Sequence, residues 1–330
     1  MSRDVVLIIS DKGEHSVPKI TGHLSQMGQD FCVLNVGSFL ESHTKMSLSI
    51  KSGILFGNIS CHDGSELDLE RVKSIWFRRP RNVFVDIDLP DLEKRFIEDE
   101  VLSSMWSLYT CLDDVFWMNH PLNAKYLLEH NKLFQLKLAV ASGLVIPRTI
   151  VTNNPDQLED FCRSCGNSIA VKAIRSRIFQ HDDGTATGIY TNKVGTDEIQ
   201  KNRKSILLAP LMAQEYVAKR LELRITIVGE TAHTCAIYSQ DSERTKDDWR
   251  RYDFDKVRHE KFDLPDEIKT NLFKLMRKCN LTFGAVDMVL TPDGEYVFLE
   301  VNPSGQFGWI ENLTGLPISQ SIAEILVRCA

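Results

Sequence analysis

The chain predicts an α/β (α+β) fold, and three observations carry that prediction. Short apolar strands alternate with an amphipathic stretch near the N-terminus, the last third is strand-rich, and composition is globular, 43% hydrophobic and 25% charged. A length of 330 residues suffices for two or three packed units with a sizeable core.

Taken in order, residues 5–10 (VVLIIS) are a short apolar run and read as a strand. Residues 15–27 are amphipathic, 31–36 form a second strand, and 54–59 and 74–77 are further short strands. Between 91 and 110, Leu92, Phe96, Leu102, Met105 and Tyr109 fall at helical spacing, and 115–118 is a brief strand before Asn119-His120-Pro121. A long helix is expected from 123 to 141, stopped by Gly143 and Pro147. Asn154-Pro155 opens a shorter helix that closes at Gly166. Residues 169–173 form a strand, and 175–188, with His181-Asp182-Asp183, read as a mobile polar loop. From 206 onward strands dominate, with helices only near 266–279 and 318–328. These breaks suggest units at 1–120, 121–205 and 206–330.

A net charge of −6 with no long basic run argues against a nucleic-acid partner. The five apolar residues 5–9 are too few for a secretory or membrane-spanning segment, so a cytoplasmic protein with no membrane partner is expected. Eight cysteines at irregular spacing, several inside apolar runs, read as reduced and buried; Cys162 and Cys165 form a lone C-x-x-C without a second pair.

The most informative stretch is 283–309. Pro292-Asp293-Gly294 marks a hairpin turn between alternating runs. With Leu290 and Glu295 flanking a four-residue connection, Asp287 would lie opposite Phe298 and diagonal to Glu300, with Asn302 on the same face. Val286, Met288, Val297, Leu299 and Val301 would then face a core. Two carboxylates and an amide are hard oxygen donors, and magnesium completes such a set with water or phosphate. A solvated acidic hairpin would show the same acids, but Phe298 between them and the glycine-containing run 302–306 point to a cleft.

Lys172 sits inside an apolar strand, where a cation must snorkel or meet an anion, and Lys132 lies within the predicted long helix. In the strand around 221–228, Leu223, Ile225 and Ile227 alternate with Glu222, Arg224 and Thr226. A carboxylate there can accept ribose hydroxyls, and a guanidinium two positions on can fork onto phosphate.

These residues resemble the ATP-grasp ligases over roughly 120–330, most specifically in Asp287 and the Glu300-x-Asn302 element. The opening strand, the run 74–80 (SIWFRRP), Ser239-Gln240, Asp248-Trp249-Arg250 and the segment 302–309 are similar to the microviridin and graspetide macrocyclases. The resemblance implies an ATP-grasp fold preceded by an N-terminal α/β pre-ATP-grasp domain. It further implies ATP and Mg2+, and a ribosomal precursor peptide with a leader and an acidic core as partner. Acyl phosphates on Asp or Glu side chains would be attacked by Ser or Thr hydroxyls or Lys amines to give ester or amide crosslinks.

Carried over by motif position, the resemblance makes Lys132 and Lys172 phosphate ligands, Gln214, Glu215, Tyr216 and Val217 the adenine linker, and Glu222 the ribose acceptor. Asp287, Glu300 and Asn302 would hold the metal, and Arg224 would act with Lys172 on the transferred phosphoryl group. Segment 175–188 is polar rather than glycine-rich, unlike many family phosphate loops. Arg78, Arg79, Arg81 and Arg250 are candidates for meeting peptide carboxylates, and His259 and His181 for a general base. A ligase joining free small molecules and a non-catalytic nucleotide-binding module are the competing readings, and homodimerisation is left open.

Overall fold

The computed structural model describes residues 4–39, 44–61, 63–80, 83, 85, 87–174, 178–180, 186–188, 190–251, 253 and 255–329. Strand β1 (Val5–Ser10) leads through α1 (Val17–Gln26) to β2 (Phe31–Asn35); β3 (Met46–Lys51), β4 (Ile54–Ser60) and β5 (Glu66–Asp68) make a small antiparallel sheet. β6 (Val72–Phe77) follows, then α2 (Asp91–Cys111) and β7 (Phe116–Met118), closing a parallel sheet of order β2-β1-β6-β7. Both faces of β1 are covered, which is why all six of its residues are buried and why it reads as an unbroken apolar run.

Two expectations fail here. The helix expected over 123–141 is two elements, a π-helical segment Leu122–Glu129 and α3 (Lys132–Val140). Asn131 interrupts it by accepting from the Phe134 N–H at 3.2 Å, a side-chain cap that helical periodicity does not reveal. Nor are all cysteines reduced: Cys32 on β2 is joined to Cys61 beyond β4. Both lie in apolar surroundings, where a thiol and a disulfide sulfur leave the same sequence pattern.

The middle of the chain holds β8 (Thr149–Thr152), α4 (Pro155–Ser164) and β9 (Ile169–Lys172), then β10 (Ile178–Gln180) and β11 (Ala186–Gly188), paired antiparallel within the segment expected to be a loop. Its His181 lies outside the described residues. β12 (Asn192–Val194), α5 (Thr196–Lys201), α6 (Arg203–Ile206) and β13 (Leu211–Glu215) complete an antiparallel sheet of order β12-β9-β13-β8. Asn154 caps α4 as its sequence indicated, accepting from the Asp156 and Gln157 N–H groups.

β14 (Leu221–Val228), β15 (Thr231–Ile237), β16 (His259–Lys261), β17 (Phe283–Leu290) and β18 (Tyr296–Asn302) form the largest sheet, ordered β16-β15-β14-β17-β18. Against it pack α7 (Asp266–Lys278), α8 (Gly308–Thr314) and α9 (Ile318–Arg328); α8 was not foreseen. The outer edge of β18 is covered twice. The Phe298 N–H donates to the Val145 carbonyl at 2.8 Å, and the Val301 N–H donates to Gln135 Oε1 of α3 at 3.0 Å. Among the described residues, no helix is long and apolar enough to cross a membrane.

Candidate active site

The hairpin β17–β18 turns as expected at Pro292-Asp293-Gly294, with Gly294 at φ 89°, a left-handed position that suits glycine. Its register differs from the expected one. Leu290 pairs with Tyr296 and Met288 with Phe298, and then a bulge inserts Leu299 so that Asp287 lies directly across from Glu300. Phe298 is therefore not between the acids: it is fully buried in the core beside Met288, and Leu299 turns instead toward a cleft with Val289. The extra residue brings the two carboxylates into closest pairing and supplies an apolar wall beside them.

Asp287 and Glu300 are lining residues of two clefts at once. The inner cleft holds Lys172, Gln214, Glu215, Tyr216, Val217 and Glu222, all expected nucleotide contacts, which the folding of β9, β13 and β14 gathers from three strands and a connection. The outer cleft holds Arg79, Arg224, Arg250, Asn302, Gln306 and Trp309. Lys132 meets Glu300 from the side, at a smaller recess beneath α3 that Asn302 also lines.

The charges are tightly paired. Lys132 Nζ lies 2.9 Å from Glu300 Oε2, Arg224 Nη1 donates to Asp287 Oδ2 at 2.9 Å, and Arg250 Nη1 is 3.7 Å from Glu300 Oε1. Burial raises the Glu300 carboxyl, but Lys132, Arg250 and Lys172 together outweigh it and hold the group well below the usual carboxylate range. Asp287 moves the other way, because burial and the neighbouring Glu300 charge exceed the help from Arg224. Burial pulls Lys172 down to about 8, opposed by Glu300. Glu222 is pushed up by burial, although Lys219 Nζ stands 3.1 Å away.

Sequence reasoning gave no role to several of the groups that hold this arrangement, Asp248 having entered only within the motif Asp248-Trp249-Arg250. Asp248 grips Arg250 through Nε at 2.8 Å and Nη2 at 2.7 Å, which aims the guanidinium toward Glu300. Lys219 donates to Glu222 and to the Asp247 carbonyl, tying together residues that line the inner cleft. Asn119 accepts from the Thr282 and Phe283 N–H groups and donates to the Phe283 and Pro303 carbonyls, tying the base of the hairpin to the N-terminal sheet. The dipeptide before Pro121 was the visible signal for Asn119, though not for its role.

Arg78 is a correction. It is almost wholly buried and all of its bonding groups are engaged within the protein, so it is not available to a peptide carboxylate. Arg79 is exposed and lines the outer cleft, Arg81 lies outside the described residues, and Arg250 borders both clefts. His259 packs edge-on against Trp309, ring centroids 5.6 Å apart, and burial holds its imidazole below its ordinary value.

The donor set fits magnesium. Asp287 Oδ1 is buried with no hydrogen-bond partner, an arrangement costly unless a cation meets it. Among the described residues no three His, Cys, Asp or Glu side chains cluster for a metal. Two carboxylates and an amide are what remains, a set suited to an ion that keeps phosphate oxygens and water in its shell.

Residues 129–326 match the RimK-like ATP-grasp domain. No protein of curated function matches the chain. Among solved structures, a Chryseobacterium gregarium RiPP-associated ATP-grasp ligase, in complex with ADP and a leader and core peptide, is 28% identical with TM-score 0.89, covering 99% of this chain and 97% of its own. The macrocyclase MdnC from Microcystis aeruginosa MRC, bound with precursor peptide MdnA, is 30% identical with TM-score 0.84 and coverage of 98% and 99%. The ligase PsnB, complexed with a phosphomimetic precursor variant, Mg and ADP, shares the fold at 20% identity, TM-score 0.75, with 99% of each chain covered. The chain therefore belongs to the RimK-like ATP-grasp family and, over its full length, to the RiPP-associated ATP-grasp ligases and macrocyclases.

Proposed function

We infer that this protein macrocyclises a ribosomally made precursor peptide at the expense of ATP, activating Asp or Glu side chains of the peptide as acyl phosphates. The observation that carries this reading is the shared wall. Asp287 and Glu300 border, on one side, the narrow cleft that gathers Lys172, the 214–217 linker and Glu222 and, on the other, a wider cleft walled by Trp249, Trp309, Arg79 and Arg250. A phosphoryl group handed across that wall meets a carboxylate held by the two arginines.

The linker Gln214 to Val217 takes adenine, with Glu222 toward the ribose, while Lys132 and Lys172 reach the phosphates. Asp287, Glu300 and Asn302 hold Mg2+, which when bound supplies positive charge to the triphosphate. Lys132, Lys172, Arg224 and Arg250 converge on Asp287 and Glu300, which places cations where a triphosphate and an acidic peptide would meet, despite the −6 total. Arg224 and Lys172 steady the charge that builds as the γ-phosphoryl group moves. The Ser, Thr or Lys group of the same peptide then attacks the acyl carbon, releasing phosphate. Its proton leaves toward His259, which packs against Trp309 of the outer cleft.

The test is incubation with ATP, magnesium and an acidic peptide containing Thr or Lys, with a leader, read by mass spectrometry and ADP release. Successive losses of water without added nucleophile are the expected outcome. Condensation only with free amino acids would support a small-molecule ligase instead, and binding of nucleotide with no ADP release would leave a binding module.

A further inference from the structure

Arg78, just past the end of β6, is 2% exposed, borders a cavity with Glu14, Ser16 and Arg79, and has each of its guanidinium nitrogens bonded within the protein. Nε donates to Ser16 Oγ at 3.1 Å, Nη2 to Glu14 Oε1 at 3.3 Å, and Nη1 to the Ser304 and Gly305 carbonyls at 3.2 and 3.0 Å. Its guanidinium also stacks over Phe307, 5.2 Å from the ring centroid. The segment it grips is the one that directly follows β18. One residue further, the Gln306 carbonyl accepts from Arg224 Nη2 at 3.2 Å, while Arg224 Nη1 is bonded to Asp287.

Gly305 sits hard against the same arginine: a Cβ built there would fall 2.7 Å from Arg224 Nη2 and 2.3 Å from Ala285 Cβ. The backbone of 304–306 is thus a plate held from behind by Arg78 and pressed from the front onto Arg224.

We propose that Arg78 is a positioning residue of the ligase reaction: through the Ser304–Gln306 backbone it fixes where the Arg224 guanidinium stands relative to Asp287, without itself touching nucleotide or peptide. The carboxylate, the hydroxyl and the two carbonyls offset the burial of the guanidinium charge, and the two carbonyls couple it to the backbone that Arg224 also bonds. Its partners on the far side all lie within two residues of the Arg224 contact. The proposal rests on the ligase reading above.

The experiment is a double-mutant cycle on the full chain, Arg78→Lys and Arg224→Lys singly and together, with kcat, KM for ATP, KM for peptide, MgADP affinity and thermal midpoint recorded. Lysine keeps the charge of Arg78 but cannot span both carbonyls and Ser16 together. Arg78→Lys should lower kcat by about 10- to 100-fold with both KM values and MgADP affinity within about threefold of wild type. In the Arg224→Lys background the same change should cost less than about threefold, because the residue through which it acts is already altered. Additive losses in folded variants, or wild-type kcat for Arg78→Lys, would overturn the proposal. Should Arg78→Lys not fold, Glu14→Gln, which loosens one anchor of the guanidinium, carries the same cycle with the same criteria, the losses scaled down. Wild-type protein that releases ADP but leaves the peptide mass unchanged would instead refute macrocyclisation, and the cycle read on ADP release would still judge Arg78.

Discussion

Strand β1 of the parallel sheet β2-β1-β6-β7 and strands β14 and β17 of the antiparallel sheet β16-β15-β14-β17-β18 are buried throughout, yet they spend burial differently. Strand β1 is apolar but for its terminal serine, whereas β14 and β17 are just as hidden and carry Glu222, Arg224, Thr226 and Asp287. Burying an ion costs several kcal/mol after relaxation, and pairing offsets that only when the geometry is close. In the first sheet burial stabilises; in the second it holds the Glu222 and Asp287 carboxyls at shifted affinity for protons. The difference teaches that deep burial marks a site only where the buried groups are ones water would normally keep.

The comparison can be broken most decisively at Glu300. Glu300→Gln should cut peptide dehydration by about 10³-fold or more, on the order of 4 kcal/mol of transition-state stabilisation, while the cooperative melt is retained. Wild-type turnover in that variant would remove the site from the second sheet altogether. Next comes the Arg224–Asp287 pair. Asp287→Ala strands a buried guanidinium and should cost about 3–5 kcal/mol in urea denaturation, whereas Arg224→Met combined with Asp287→Leu should recover most of that stability and none of the activity. Recovery of activity in the double variant would show that the pair is only structural.

Leu7→Ala, in the first sheet and packed in a core made only of N-terminal residues, sharpens the contrast from the other side. It should lose about 2–5 kcal/mol through the cavity it opens, with turnover per folded molecule unchanged. A parallel fall in kcat would mean that the sheets are not separable in this way. The smallest effect is expected at Glu14, where they meet. Burial raises its carboxyl, but the Arg78 charge and the Ser16 hydrogen bonds prevail and lower it. A depressed carboxylate contributes stability that is present above its unfolded value, about 4.3, and is lost as pH falls through the folded one. The gap in urea midpoint between wild type and Glu14→Gln should therefore close as pH falls from neutral into that range, and a gap constant with pH would deny the ion pair any part.

Much of this was legible in the chain. The strands at 5–10, 31–35 and 72–77 announced themselves by short apolar runs, and Asp287, Glu300 and Asn302 by a turn signal between alternating residues. What stayed hidden has a common cause: it is decided by groups distant in sequence or by one extra residue. A bulge at Leu299 leaves the alternation almost intact while reversing Phe298 and Leu299 between core and cleft. The Asn131 cap splits a helix whose apolar spacing runs on through it. Cys32 and Cys61 meet only because two sheets do. Arg78 read as the first member of a surface basic cluster because its acceptors, the Ser304 and Gly305 carbonyls, lie more than two hundred positions away and carry no side-chain signature.

Strand β18 has only one sheet neighbour, and an open strand edge invites other chains to add to it. Here the donors of Phe298 and Val301 are taken by Val145 and by the amide of Gln135, one on each side of Leu299 and Glu300. The strand that bears the acid is thereby closed to recruitment by a second molecule. Stripping that cover, as in Gln135→Ala, would show itself first as intermolecular association on refolding, measured by light scattering, before any defect in chemistry.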